Sequence, residues 1–361
     1  MGPSLSTIAV VTALVAATVV AAVAYLRRVR VQRAPVGVYN ARDIVVMSVV
    51  LVVLPPLYVH LPTVAVVAVM GFVAAFITNF TLTPLLGARP ALVVAVAALA
   101  ADVALAQLHD DRGHHLAYLA MNDLLLLVMV VGVVNLYAQS GMRAREVTVF
   151  AAGLVVYDFL ATVAFPVMVD FFTRVSALPV TPAFGWGRGG DAVAVGLGDV
   201  LVAVLWTVTA EKAFGRRAAV VAGVTGVAGI LALFLAFWAD WLNRAVPAMV
   251  VLGPVIVVEY RWFLRRAGGR ERSTARYLAE ADGPPDPERP ARPGAAPADL
   301  GAAIRLAEAA GTGGAGRYVA VVDGRPVAEG PTAGSARRAA AAARPGSVPL
   351  LVWTEGVVAT G

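Results

Sequence analysis

Two aspartates sit where a carboxylate is expensive. Asp158 lies in the run LVVYDFLATV and Asp199 in AVGLGDVLVAV, each inside a long apolar stretch. An ionised carboxylate near the centre of a membrane helix costs about 2.5–3.5 kcal/mol even on lenient insertion scales, so such residues ordinarily carry chemistry or ions. If the two side chains face each other, like charges cannot both ionise cheaply, and one proton is shared between them. The charged partner can then take a proton from a water that attacks a peptide carbonyl. The protonated partner donates to the carbonyl oxygen, and the roles reverse as the amine leaves. Which aspartate starts protonated is open at this level. Gly196 and Gly198 flank Asp199 and remove side-chain bulk there, which lets water and an extended backbone approach.

The elements that must position this pair follow from composition. Of 361 residues, 59% are hydrophobic and 14% charged, and the mean hydropathy is +0.78. A soluble chain of this length needs far more polar surface. Apolar runs long enough to cross a bilayer recur through the first three quarters, without the alternation of a barrel strand. The fold class expected is therefore an all-α polytopic membrane protein with about nine transmembrane helices and a small C-terminal soluble α+β unit. The spans fall at roughly 5–26, 44–61, 63–83, 91–108, 116–137, 147–172, 192–210, 214–238 and 245–264. No basic residue precedes the first run, so it reads as a retained span rather than a cleaved signal peptide. There is no cysteine, which excludes disulfides, thiol catalysis and thiolate metal sites.

Three units are expected: 1–266 in the membrane, an Arg/Pro-rich linker over 267–298, and an accessory unit over 299–361. In the last, helix Asp299–Ala310, a hairpin of Arg317–Val322 and Arg325–Glu329 about Asp323-Gly324, helix Ser335–Arg344 and strand Leu350–Thr354 are predicted. Arginines and Lys212 crowd alternate connections, notably Arg27, Arg28, Arg30 and Arg33, then Arg143 and Arg145, then Lys212, Arg216 and Arg217. The positive-inside rule then puts the N-terminus outside and the C-terminus in the cytoplasm. The net charge of +6 reads as orientation and contact with anionic lipid, and no nucleic-acid partner is expected. Depth is the difficulty. Asp199 lies ~10 Å from the start of its span, whereas Asp158 lies ~21 Å from Phe172. A kink at Pro166, with an irregular stretch from there to Asp191, would bring the two level.

Tyr157-Asp158 followed by Gly196-Leu197-Gly198-Asp199 resembles the YD and GxGD signatures of the presenilin and signal peptide peptidase family, which has nine spans with these motifs on the sixth and seventh. Pro247-Ala248-Met249 resembles its Pro-Ala-Leu motif at the ninth span, with Met for Leu. Asn122-Asp123-Leu124-Leu125, the Pro247/Pro254 spacing, Pro166-Val167-Met168-Val169 and the outside N-terminus favour the signal peptide peptidase branch. The resemblance covers roughly 115–260 well and the first four spans only by count. It implies an intramembrane aspartic endopeptidase with Asp158 and Asp199 catalytic, no cofactor and no metal. Tyr157, Gly196, Leu197, Gly198, Pro247, Ala248 and Met249 would then position the dyad or substrate. The implied partners are transmembrane or signal-peptide substrates with a cytoplasmic N-terminus, cut where an unwound segment pairs with backbone near 180–198 or 245–249.

Other readings stay beside this one. The two aspartates could serve an ion- or proton-coupled transporter, or the chain could be an inactive membrane scaffold. A prepilin-peptidase-like enzyme also uses GxGD but usually carries Lys two residues on, where this chain has Leu201. Asn122 and Asp123 are expected to make interhelical hydrogen bonds, Asp102 to be solvated at the end of its span, and Glu259 to snorkel toward Arg261 or water. His109, Asp110, Asp111, His114 and His115 read as a solvated turn, and Gly223, Gly226 and Gly229 as a close helix contact.

Overall fold

The computed structural model describes residues 3–31, 41–108, 112–161, 174–175, 178–242, 247–282, 301–302, 305–306 and 317–354. Up to Arg266, nine helices of sixteen residues or more appear among the described residues. They are α1 (Leu5–Arg28), α2 (Ala41–His60), α3 (Thr63–Leu86), α4 (Ala88–Gln107), α5 (Arg112–Gln139), α6 (Ala144–Phe159), α7 (Leu197–Phe214), α8 (Arg216–Trp238) and α9 (Met249–Arg266). Five of them are long and apolar enough to cross a membrane: α1, α3, α4, α8 and, within α5, His114–Gln139. This marks a helical membrane protein. Shorter length or added charge sets α6, α7 and α9 apart; α7 carries Asp199, Glu211 and Lys212, and α9 carries Glu259, Arg261, Arg265 and Arg266.

Local chemistry sets the helix limits. Ser4 caps α1 by accepting from the Thr7 N–H at 3.3 Å. Corners α3–α4 and α7–α8 turn on Gly87 and Gly215, at φ 86° and 93°, a region closed to most side chains. The bundle centres on α5 and α7, whose long buried runs meet α1, α6, α8 and α9. Gly223, Gly226 and Gly229 do let α8 approach closely: a Cβ would come within 3.1 Å of Val19, 3.6 Å of Ala203 and 3.0 Å of Leu252 respectively.

Two boundaries differ from the sequence reading. The seventh span, drawn from 192, instead begins as a strand. β1 (Ala183–Trp186) and β2 (Val193–Gly196) pair antiparallel with Phe184 opposite Val195, and helix starts only at Leu197. Val193 and Val195, alternating with small residues, suit a pleated half-buried ribbon. The sixth span, drawn to 172, is regular α-helix to Phe159 and changes to a wider π-type turn at Leu160–Ala161, and its remainder lies outside the described residues. Pro166 and its neighbours lie outside the described residues.

The linker also starts later than 267. Arg270–Ser273 and α10 (Thr274–Asp282) fold back onto the bundle, α10 against α7 and α5. Residues 283–298 lie outside the described residues. Beyond them, β3 (Arg317–Val322), β4 (Arg325–Gly330), α11 (Ala333–Ala343) and β5 (Leu350–Thr354) form an antiparallel sheet in the order β4–β3–β5 with α11 packed on it. Asp323 and Gly324, at φ 50° and 77°, make the tight turn their types demand. Of the predicted helix Asp299–Ala310, residues 301–302 and 305–306 are helical and the rest lie outside the described residues.

Candidate active site

Asp158 is the next-to-last residue of α6 and Asp199 stands in the first turn of α7. Regular α-helix gives way to a π-type turn one residue after Asp158, and the stretch to Phe172 on which the expected mismatch in depth rests lies outside the described residues. α6 packs against both α7 and α9. The two carboxyl groups are close enough for the charge of Asp158 to act on Asp199, and both side chains are half-buried.

Met249, the first residue of α9, directs its backbone N–H at the Asp199 carboxylate closely enough to act on it electrostatically. The first N–H groups of a helix have no partner within it, so a carboxylate is a natural acceptor. Pro247-Ala248-Met249 thereby reaches Asp199 through the backbone, with Ala248 and Met249 buried. At Gly196 a Cβ would lie 3.3 Å from Asp199 Oδ2, whereas at Gly198 it would meet nothing within 4 Å. Gly196 alone of the two spares Asp199 a neighbour by contact. Tyr157 and Leu197 are half-buried and pack against the core, and Tyr157 lies in the field of Asp158.

The β1–β2 hairpin leads directly into this site, since Asp199 follows β2 by three residues. Phe184 and Trp186 share a face with Val193 and Val195, while the other face carries only Ala183, Gly185, Ala194 and Gly196. Outer-edge groups of β1 are bonded to α5: Gly185 N–H to Asp123 and Ala183 C=O to Asn122. Antiparallel alternation then turns Phe184 and Trp186 toward β2 and leaves the N–H and C=O of Ala194 facing outward. Among the described residues no hydrogen bond reaches them.

Several residues differ from expectation. Asp102 is not solvated; it is 0% exposed, and its Oδ2 accepts from the Val180 N–H at 3.0 Å. Asn122 and Asp123 hydrogen-bond to hairpin backbone rather than to another helix. Glu259 does not snorkel, because Trp206 Nε1 and Thr225 Oγ1 each donate to it at 2.6 Å. His115 contacts the Gly187 carbonyl at 3.1 Å, and His109, Asp110 and Asp111 lie outside the described residues. A cavity of 330 Å³ opens at the hairpin tip, lined among others by Ser6, Thr7, His115, Trp186, Arg188 and Asp191.

Composition hid a further group at the opposite end of the bundle. Glu271 accepts from the N–H groups of Ala144 and Arg145, capping α6, and from the Tyr260 hydroxyl. Arg272 donates to the Glu211 and Lys212 carbonyls at the end of α7. Buried Lys212 donates to the carbonyls of Ala138 and Met142 and to Thr274 Oγ1, while Arg27 grips the Glu211 carboxylate with two nitrogens. The helices bearing both aspartates are thus fastened at their far ends by one tail segment. No protein-family model, curated protein or solved structure matches this chain.

Proposed function

We propose that the protein is an intramembrane aspartic endopeptidase that hydrolyses peptide bonds within transmembrane helices or signal-peptide remnants. The observation that carries this reading is the convergence on Asp199 of three things: the charge of Asp158, the Met249 N–H, and a strand with an open outer edge. A transmembrane helix satisfies its own backbone bonds, so it must unwind before water can attack. An unwound segment can recover those bonds along Ala194 by adding to β2 as a third strand. The next few residues bring it beside the dyad, where one carboxylate takes a proton from water while its protonated partner donates to the scissile carbonyl oxygen, and the first then passes its proton to the leaving amine.

The proposed topology has nine spans, with the end holding Ser4, the hairpin and Asp191 outside, and the end holding Arg27, Glu211 and Glu271 in the cytoplasm. Single-span substrates with a cytoplasmic N-terminus follow from that orientation by resemblance. The deciding experiment incubates purified protein in lipid with such a substrate. Wild type is expected to release two fragments and to be labelled by a transition-state-mimicking aspartic protease inhibitor, and Asp158→Ala and Asp199→Ala to do neither. Cleavage surviving either substitution would defeat the assignment. Ion or proton flux through vesicles that needs the aspartates, without cleavage, would favour the transporter.

A further inference from the structure

The outer edge of β1 is met by side chains set on α5 in the pattern of a strand. Asn122 Nδ2 donates to the Thr181 carbonyl at 3.1 Å and to the Ala183 carbonyl at 3.3 Å. Asp123 Oδ1 accepts from the Gly185 N–H at 3.1 Å. Just before the strand, Asp102 on α4 accepts from the Val180 N–H, and Tyr118, one turn before Asn122, bonds to Thr181 Oγ1 at 2.9 Å. Asp102, Asn122 and Asp123 are each at most 1% exposed. Helix packing alone asks for none of these polar groups, and apolar side chains would fill the space without the cost of burying acids.

We propose that Asn122 and Asp123, seconded by Asp102, are positioning residues that hold β1 in place before substrate arrives, so that only β2 can receive it. The proposal rests on the proteolytic reading for its consequence, though the clamp itself is a property of the free protein. A preformed ribbon spares the substrate the cost of ordering it on binding. Fixing β1 also fixes the register of β2, and a slip by two residues would carry a different peptide bond to Asp199.

Three single substitutions in the full chain separate this from a general packing role. Asp123→Asn keeps an acceptor oxygen, Asp123→Leu removes it, and Asn122→Asp replaces the amide NH2 that serves two carbonyls with a single oxygen that opposes both. Without substrate, amide exchange at Phe184 and Val195 is expected to accelerate by about tenfold or more in Asp123→Leu and Asn122→Asp, the scale of one lost buried hydrogen bond, and to stay near wild type in Asp123→Asn. Exchange within α7 over 202–209 should not change. In the cleavage assay the first two variants should raise KM more than they lower kcat and scatter the cut over neighbouring bonds, with Asp123→Asn restoring both. Unchanged exchange at Phe184 and Val195 overturns the clamp whatever the activity. Faster exchange with unaltered KM and cut site overturns its role in placing substrate. Faster exchange together with a wild-type chain that cuts nothing would uphold the clamp and sink the proteolytic reading.

Discussion

Gly253 holds α9 against α6 at the level of the dyad, and filling it should disable the site without touching either aspartate. A Cβ at Gly253 would fall inside the contact radius of Val155 Cγ2 and 3.4 Å from the Ala151 carbonyl oxygen. Carbon atoms rest at about 3.8 Å, so the overlap with Val155 exceeds ~1 Å. A valine in a helix has essentially one χ1 rotamer, and relief must come from moving α6 away from α9. That separates Asp158, one turn beyond Val155, from Met249, one turn before Gly253. Over-packing of this kind costs about 1–3 kcal/mol, and a shift near 1 Å at reacting groups costs up to ~10²-fold in rate. Gly253→Ala should therefore lower the unfolding midpoint and cut substrate turnover by tenfold to a hundredfold. Val155→Ala/Gly253→Ala should recover most of both, giving a coupling of about 1 kcal/mol or more in a double-mutant cycle. Wild-type turnover in Gly253→Ala, or a double variant no better than the single, would refute the reasoning.

Other expectations follow from the two ends of the bundle. Lys212→Met strands the carbonyls of Ala138 and Met142 in a dry site and should cost at least about 3 kcal/mol in denaturant unfolding. Glu271→Ala uncaps α6 and should cost about 1 kcal/mol, read as faster exchange of the Ala144 and Arg145 amides. Truncation after Asp282 should leave the unfolding midpoint of the bundle unchanged, whereas truncation after Gly269 should lower it, because only the second removes Glu271, Arg272 and Thr274. At the hairpin tip, hydrogen bonds from Ser4 and Thr7 hold the Asp191 carboxyl below its ordinary value of 3.8. A depressed carboxyl stabilises above its unfolded value and loses that contribution as pH falls through the folded one. Trp186 fluorescence should thus stay constant from neutrality down to about pH 4 and change only below it, while Asp191→Ala should show the released signal throughout.

What could be read from sequence was whatever depends on neighbours along the chain. Apolar runs placed every long helix to within a few residues, apart from the strand that opens the seventh and the far end of the sixth, which lies outside the described residues, and Asp323-Gly324 marked its hairpin because only a φ>0 turn suits that pair. Leu350–Thr354 reads as a strand and is one, its residues alternating between buried and half-buried. The β1–β2 ribbon was hidden because AFGW and VAVG are four residues each, and the second runs unbroken into an apolar helix. Asp102 looked solvated from its place near a helix end, and nothing local shows that the Val180 backbone crosses there. The same holds for Glu259, whose partners lie 34 and 53 residues away. Arg270-Glu271-Arg272 has linker composition, and only the folded bundle turns it into a cap for one helix and a clasp for another. Tyr157-Asp158 and Gly196-Leu197-Gly198-Asp199 stood out in the sequence as candidates, whereas the approach of the Met249 N–H to Asp199 required three-dimensional closure.

The occupied flank of β1 has a consequence for traffic. Exposed strand edges invite uncontrolled pairing, and an edge within lipid is a worse hazard because no water competes for it. Here the ribbon offers a single berth, a few residues long, with α5 standing where a fourth strand would need to dock. On the proteolytic reading, two substrates cannot be held along this ribbon at once. On that same reading, each berthed substrate must leave before another is admitted.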